Sequence, residues 1–402
     1  MTEQENKPGI SSWYMPQEEM LEIRRKGKKI TIGIPSDFAQ VESRVPLTPE
    51  AVELLVSYGH EIYLETNAGK ASSYSDEEYR NAGAVVLEKR ADVFQCDIIL
   101  RVSPFDEKDI DLLRGNQTLI SNMQLSTHCT ETVQKLMRKK VTAIAYEYLE
   151  NEEHCLPVVQ LMSQLSGSTS IMVASEYLSN SRDGKGVLLG GVTGISPTEL
   201  VILGATTAAE FAARAAIGLG AHVKIFDNNI FKLRQLEEQL GHQIFTSVLY
   251  PNVLKKALKS ADVVLGAMSV NTKPSFRVSK EMVAKMKKGS VIIDLNVSQG
   301  GCFETSRCTD LNNPTYLVND IVHYCVPNIS SLVARTASIA LSNVLAPIII
   351  SVGEIGGIPN YIKSTKGFRK GIYIYNGILT NSDLGDKLNL PSKDIDLLLA
   401  IF

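Results

Sequence analysis

The sequence predicts an α/β protein built from two doubly wound units. Three observations lead there. A strand–helix rhythm starts at Lys29, breaks at a glycine-rich stretch, and restarts at Leu200. The chain has 402 residues, more than one minimal domain uses and enough for two of ordinary size. Its residues are 44% hydrophobic and 21% charged, which supports packed cores and argues against disorder.

The elements follow in order. Residues 1–28 form an extension in which Glu18 to Lys28 is charged, with acids early and bases late, as suits a helix. Ile30 to Pro35 (ITIGIP) is a short buried strand. Thr48-Pro49-Glu50 opens a helix with an N-cap, a proline and an acid, and that helix runs to Gly59. Glu61 to Glu65 is the next strand, and Ser75-Asp76-Glu77-Glu78 starts another helix. Asp97 to Val102, Thr118 to Asn122 and Val141 to Tyr146 complete the first set of strands. A helical pattern covers Leu161 to Asn180, and Gly184 to Pro197 is a glycine-rich loop.

In the second unit, Leu200 to Leu203 is a strand and a helix runs to Leu219. His222 to Phe226 follows, with a helix to Leu240. Ala261 to Leu265, a helix to Met286, and Ser290 to Leu295 come next. From Ser330 a long apolar helix leads into a polar tail. The uncharged run Thr336 to Gly353 approaches membrane-spanning length, but its serines, Asn343 and Pro347 favour a buried helix.

Composition narrows the function classes. There are 41 basic and 44 acidic residues, so no strong basic field exists to hold nucleic acid or an anionic membrane. The six cysteines include no CxxC pair and no zinc-ligand spacing with histidine. Reduced, mostly buried thiols in a cytoplasmic protein are expected. The first residues lack the basic start and apolar run of a signal peptide.

The strongest local signal lies in the second unit: strand Val201-Ile202-Leu203, turn Gly204-Ala205-Thr206-Thr207-Ala208-Ala209, helix, then strand His222 to Phe226 ending in Asp227. This is the order of a dinucleotide-binding βαβ, in which the terminal acid takes the ribose hydroxyls of NAD. The G-x-G-x-x-G/A pattern keeps Gly204 and an allowed Ala209, but Thr206 replaces the glycine that lets the backbone approach the pyrophosphate. Its hydroxyl is a candidate phosphate donor. The helix N-terminus still offers N–H groups to an anion. Retained NAD binding and a cofactor-free scaffold of the same shape both remain open on these residues.

Further segments carry a family resemblance: ITIGIPSDFAQVESRVPLTP at 30–49, LMSQLSG at 161–167, GVLLGGVTGISP at 186–197, residues 200–236, IIDLNVSQGGCFETSR at 292–307 and HYCVPNISSLVARTAS at 323–338. The chain resembles the alanine dehydrogenase and N-terminal pyridine nucleotide transhydrogenase family, alanine dehydrogenases most closely. The resemblance implies a discontinuous catalytic domain (29–158 and 332–402) around a central Rossmann-type NAD domain (159–331). It also implies reversible NAD-dependent deamination of L-alanine to pyruvate and ammonium, and a homo-oligomer, often a hexamer.

It further implies site residues. Arg44, in SRVPLTP, stands at the substrate-carboxylate clamp, a role suited to a bidentate guanidinium. Met162 and Ser163 match a cleft pair. Asp227 matches the ribose acid, and Lys232 and Arg234 match basic positions near the adenosine end. Gly266 fits a turn beside the cofactor, and Asn328 matches the family's asparagine near the nicotinamide. Ser330 stands where the family has proline. Three positions depart at the reacting groups: the family's lysine falls on Ser103, its histidine on Gln124, and its aspartate on Ser298. A glutamine does not titrate near neutrality, and a serine carries no charge to offset a developing alkoxide. Arg101 is a neighbouring cation, and His128 a candidate base that reads more simply as a cap or surface histidine. Three functions follow: an active dehydrogenase, a non-catalytic relative that binds nucleotide or metabolite as a regulator or assembly subunit, or a related enzyme with another substrate and a rearranged base, for which the sequence has no positive feature.

Overall fold

The computed structural model describes residues 27–37, 42–123, 129–268 and 276–401. The expected helix at Glu18 to Lys28 lies almost wholly outside these residues, and Gln124 and His128 lie entirely outside them. The first sheet opens with β1 (Thr31–Ile34), β2 (Glu61–Glu65), β3 (Val85–Leu87), β4 (Ile98–Leu100), β5 (Thr118–Ser121) and β6 (Thr142–Ala145). The second contains β7 (Glu199–Leu203), β8 (His222–Phe226), β9 (Phe245–Ser247), β10 (Val263–Gly266), β11 (Val291–Asp294), β12 (Thr315–Val318) and β13 (Ile321–Tyr324). The chain then returns to the first sheet with β14 (Ile372–Tyr375) and β15 (Ile378–Leu379).

The spatial orders are β15-β14-β6-β5-β4-β1-β2-β3 and β12-β13-β11-β10-β7-β8-β9. Numbered from its own first strand, the parallel part of each sheet runs 3-2-1-4-5-6, the doubly wound order. Each lobe therefore has a switch point, between β1 and β4 in the first and between β7 and β10 in the second. The central parallel strands are buried on both faces, and their apolar runs (LVIL in β7, VVLG in β10, VIID in β11) reflect that.

Local chemistry sets the helix ends. Thr48 caps the Pro49–Ser57 helix, and Ser75 with Glu78 forms a reciprocal capping box on Asp76–Asn81. The long helix expected from Leu161 runs from Pro157 to Leu178, because Pro157 suits the first helical position. It packs closely on the Thr207–Gly218 helix: a Cβ on Gly167 would stand 2.2 Å from the Ala208 carbonyl oxygen. The Ala334–Glu354 helix matches the apolar run. By length and composition it could cross a membrane, yet Leu341, Leu345, Ile349 and Val352 are buried in the first lobe's core.

Several expectations are corrected. The polar tail is folded, and its IYIY run supplies β14 antiparallel to β6. The helix expected between Leu265 and Met286 is, among the described residues, only Lys280–Val283; a longer helix, Pro251–Ser260, precedes β10 instead. The short strands β3, β9 and β12 gave too few alternating residues to stand out. Three of the six cysteines are buried, rather than most.

Replacing Gly167 by valine should force the two helices apart and lower stability by about 1–3 kcal/mol. A thermal melt unchanged from wild type would show that the close approach is not needed.

Candidate active site

Charged groups gather where the first sheet's switch point opens. Arg44 follows β1 and is held by the long helix: Ser338 Oγ accepts from Val45 N at 2.9 Å, and Ser342 Oγ accepts from Thr48 N at 2.8 Å. Those serines explain the polar positions in an otherwise apolar helix. The Arg44 side chain is 9% exposed. Its Nε and Nη2 donate to Glu42 Oε1 and Oε2 at 2.7 and 2.6 Å, a fork-on-fork pair. Nη1 contacts Met162 Sδ and Ser330 Oγ, each at 3.3 Å. This is not a surface ion pair: the two side chains are 9% and 6% exposed.

Glu42 accepts further hydrogen bonds from Ser331 Oγ at 2.9 Å and Asn328 Nδ2 at 3.3 Å. Burial works to raise its carboxyl, but the Arg44 guanidinium and these hydrogen bonds more than reverse it and hold it below the ordinary range. Arg44 is correspondingly held in its charged form by Glu42 against its own desolvation. Tyr146 lies in the same field and donates to the Val102 carbonyl at 2.9 Å.

Arg101 is not a spare cation. It is buried, and its Nε donates to Asp37 at 2.6 Å while Nη1 pairs with Asp109. Asp109 also binds Arg90, which reaches Glu65 at 2.6 Å. Arg101 and Ser103 lie beyond the end of β4, not within a strand. Ser103 donates its backbone N–H to Asp37 at 3.3 Å. Burial pushes the Asp37 carboxyl up, and Arg101, shared with Asp109, only partly brings it down.

The second lobe supplies the nucleotide-type loop. Gly204 has φ +106°, and a Cβ there would stand 2.3 Å from the Ala267 carbonyl oxygen, so glycine is required. Thr206 caps the Thr207–Gly218 helix, accepting from Ala209 N at 3.4 Å, and donates to Ala267 O at 2.9 Å. Its hydroxyl, a candidate phosphate donor, here donates to the Ala267 carbonyl across the switch point. Asp227 ends β8 and accepts from Ala205 N and Asn229 N, each at 2.8 Å. These bonds leave acceptor capacity on both carboxylate oxygens.

The remaining positions are spread more widely. Met162 is brought against Arg44, and half-buried Ser163 is its neighbour on the same helix. Asn328 turns its amide toward Glu42 and Ser331. Gly266 ends β10, where a Cβ would stand 2.8 Å from Cys302 Cβ. Ser298 is exposed on a short turn. Lys232 is half-buried, while Arg234 is exposed and pairs with Glu238 at 3.5 Å.

Glu42, Asp37, Ser330 and Ser331 were missed as site residues. Glu42 had a local signal, an acid two residues before an arginine. Ser331 had none, because its partner Glu42 lies 289 residues away in sequence, and Ser330 stood out only as a departure from the family's proline.

The Glu42 contribution has a definite sign with pH. Its folded-state pKa is depressed, so its stabilisation is present above the ordinary value of 4.5 and is lost as pH falls through the folded value. Glu42→Gln should cost about 3–5 kcal/mol at neutral pH by stranding Arg44. The gap from wild type should narrow below pH 4.5 in denaturant titrations; a gap independent of pH would contradict the pairing.

The chain matches the family models described as "Alanine dehydrogenase/PNT, N-terminal domain" over residues 33–166 and "Alanine dehydrogenase/PNT, C-terminal domain" over residues 170–382. It is 36% identical over 373 residues to an alanine dehydrogenase of Mycolicibacterium smegmatis, covering 92% of this chain and 100% of that one. It is 34% identical over 372 residues to alanine dehydrogenase 2 of Staphylococcus aureus, covering 92% and 100%. A solved L-alanine dehydrogenase superimposes with a TM-score of 0.84 at 34% identity, covering 89% of this chain and 98% of that chain. With both domains matched in order and relatives aligned over almost their whole length, this chain belongs to the alanine dehydrogenase/pyridine nucleotide transhydrogenase family.

Proposed function

We propose that the protein binds NAD and a small 2-oxo or 2-amino acid and interconverts L-alanine with pyruvate and ammonium, with a chemical step weakened by the substitutions at 103, 124 and 298. The observation that carries this reading is Arg44: a nearly buried guanidinium where the two lobes meet, touching residues of both. The Gly204 turn, the start of the Thr207–Gly218 helix and Asp227 fit a dinucleotide.

Arg44 would bind the substrate carboxylate, with Met162 against the same guanidinium. Ser163 and Asn328 border the cleft, while Ala209, Gly266 and Lys232 would line the cofactor path from pyrophosphate to adenosine. NAD, when bound, supplies the acceptor for the hydride leaving C2. Ser103 and Ser298 bring no charge to an oxygen or nitrogen at C2, and Arg101 is committed to Asp37 and Asp109. The proton released in the reaction therefore lacks an acceptor of the family's kind, and general acid–base assistance of about 10²–10⁴-fold is forfeited. That loss also favours the second reading, a nucleotide- and metabolite-binding relative that regulates or assembles with an active enzyme.

We assign this activity to the cytoplasm and to a homo-oligomer. The exposed apolar side chains of Met172, Leu188, Val192, Ile195 and Leu219 support self-association.

Calorimetric titration tests the cofactor reading directly. Micromolar NADH affinity is expected, and no binding at millimolar NADH would overturn it. If the cleft is preserved, the combined change Ser103→Lys, Gln124→His and Ser298→Asp should raise alanine-dependent NAD reduction by about 10²–10⁴-fold. Asp37, beside the Ser103 backbone, is a ready counter-ion for the new lysine. No gain in rate would count against a preserved substrate pocket.

A further inference from the structure

We propose that Ser330 determines how this cleft reads its substrate: its hydroxyl, beside the Nη1 edge of Arg44, takes one oxygen of the substrate carboxylate. The inference deepens the clamp reading of Arg44 and rests on it.

A guanidinium carries five N–H donors and presents two edges to planar anions. In Arg44 the edge formed by Nε and Nη2 is filled by Glu42 at 2.7 and 2.6 Å. An incoming carboxylate is left the edge carrying Nη1. Among the described residues that nitrogen meets only weak partners: the thioether of Met162, a poor acceptor, and the Ser330 hydroxyl, each at 3.3 Å, long for a hydrogen bond to a cation. Ser330 is 3% exposed and its oxygen accepts from Nη1. Among the described residues its hydroxyl hydrogen has no acceptor.

Two under-used donors, one charged and one neutral, thus sit side by side in a dry place. One carboxylate oxygen inserted between them would exchange a single long contact for two charge-assisted hydrogen bonds. Glu42 acts here as a positioning residue, holding the filled edge so that the other faces Ser330. The resemblance implies a proline at this position, a residue without a hydroxyl. It adds a ligand for the carboxylate end in a cleft that has lost charge at the C2 end.

Calorimetric titration of pyruvate into the full-length protein saturated with NADH tests the assignment. Ser330→Ala should weaken pyruvate binding by about tenfold, and Ser330→Thr, which keeps the hydroxyl, should stay within about threefold of wild type. NADH affinity should be the same in all three. Arg44→Lys should abolish pyruvate binding. If Ser330→Ala binds pyruvate as wild type does while Arg44→Lys does not, the Ser330 role is overturned and the clamp stands. If wild type binds NADH but no pyruvate, or binds neither, the clamp reading falls and the Ser330 role with it.

Discussion

The buried pair of Arg44 and Glu42 is the constraint around which the candidate site is organised. A guanidinium withdrawn from water needs a counter-charge with matching geometry, and Glu42 supplies it through both oxygens. The same carboxylate collects Ser331 and Asn328 from a segment nearly 290 residues away. The turn after β1 is thereby fastened to the segment that leads out of the second sheet into the Ala334–Glu354 helix. That helix fastens the turn again through Ser338 and Ser342. A buried ion pair says little about net stability, because desolvation offsets much of the attraction, but it says much about position. Arg44 can rotate only by giving up its counter-ion.

A second charged network lies beside the first, and among the described residues its ion pairs hold more acids than bases. Three carboxylates, Asp37, Asp109 and Glu65, share two guanidinium groups, Arg90 and Arg101. Asp37 bears the deficit. It is buried, it shares Arg101 with Asp109, and its carboxyl sits above the ordinary range. Its other oxygen meets the backbone N–H of Ser103, the position at which relatives of this kind are expected to carry a lysine. A lysine there would supply the missing charge. On the function proposed above, serine at 103 has a cost inside the protein as well as for chemistry, with Asp37 left beside it.

The doubly wound halves were legible because parallel strands buried on both faces leave unbroken apolar runs, and because caps such as Thr48-Pro49 and Ser75 with Glu78 announce helices locally. The three-residue strands β3 and β9 were not, since so few residues carry no period. The tail was misread for a different reason. IYIY becomes a sheet strand only when β6 is available to pair with it, and that partner lies more than 200 residues earlier. In the site, Arg44, Gly204 and Asp227 were visible through short motifs. Glu42, Asp37, Ser330 and Ser331 were not, because their meaning lies in contacts made by folding. The hydroxyl of Thr206, a candidate phosphate donor, meets an internal carbonyl that no local pattern announces.

Both switch points are spanned by the protein's own hydrogen bonds. Across β1 and β4, Asp37 holds Arg101 and the Ser103 backbone. Across β7 and β10, Thr206 holds the Ala267 carbonyl. A ligand entering either crevice meets a surface already tied together, so affinity there depends on groups left over after the ties are made. In the second lobe these are the spare lone pairs of Asp227 and the N–H groups at the start of the Thr207–Gly218 helix. In the first they are the Nη1 edge of Arg44 and the hydroxyl beside it. Under the proposed function both sets would bind and orient ligand. On the function proposed above, recognition is better preserved than proton transfer, and any loss of rate falls in the chemical step ahead of ligand affinity.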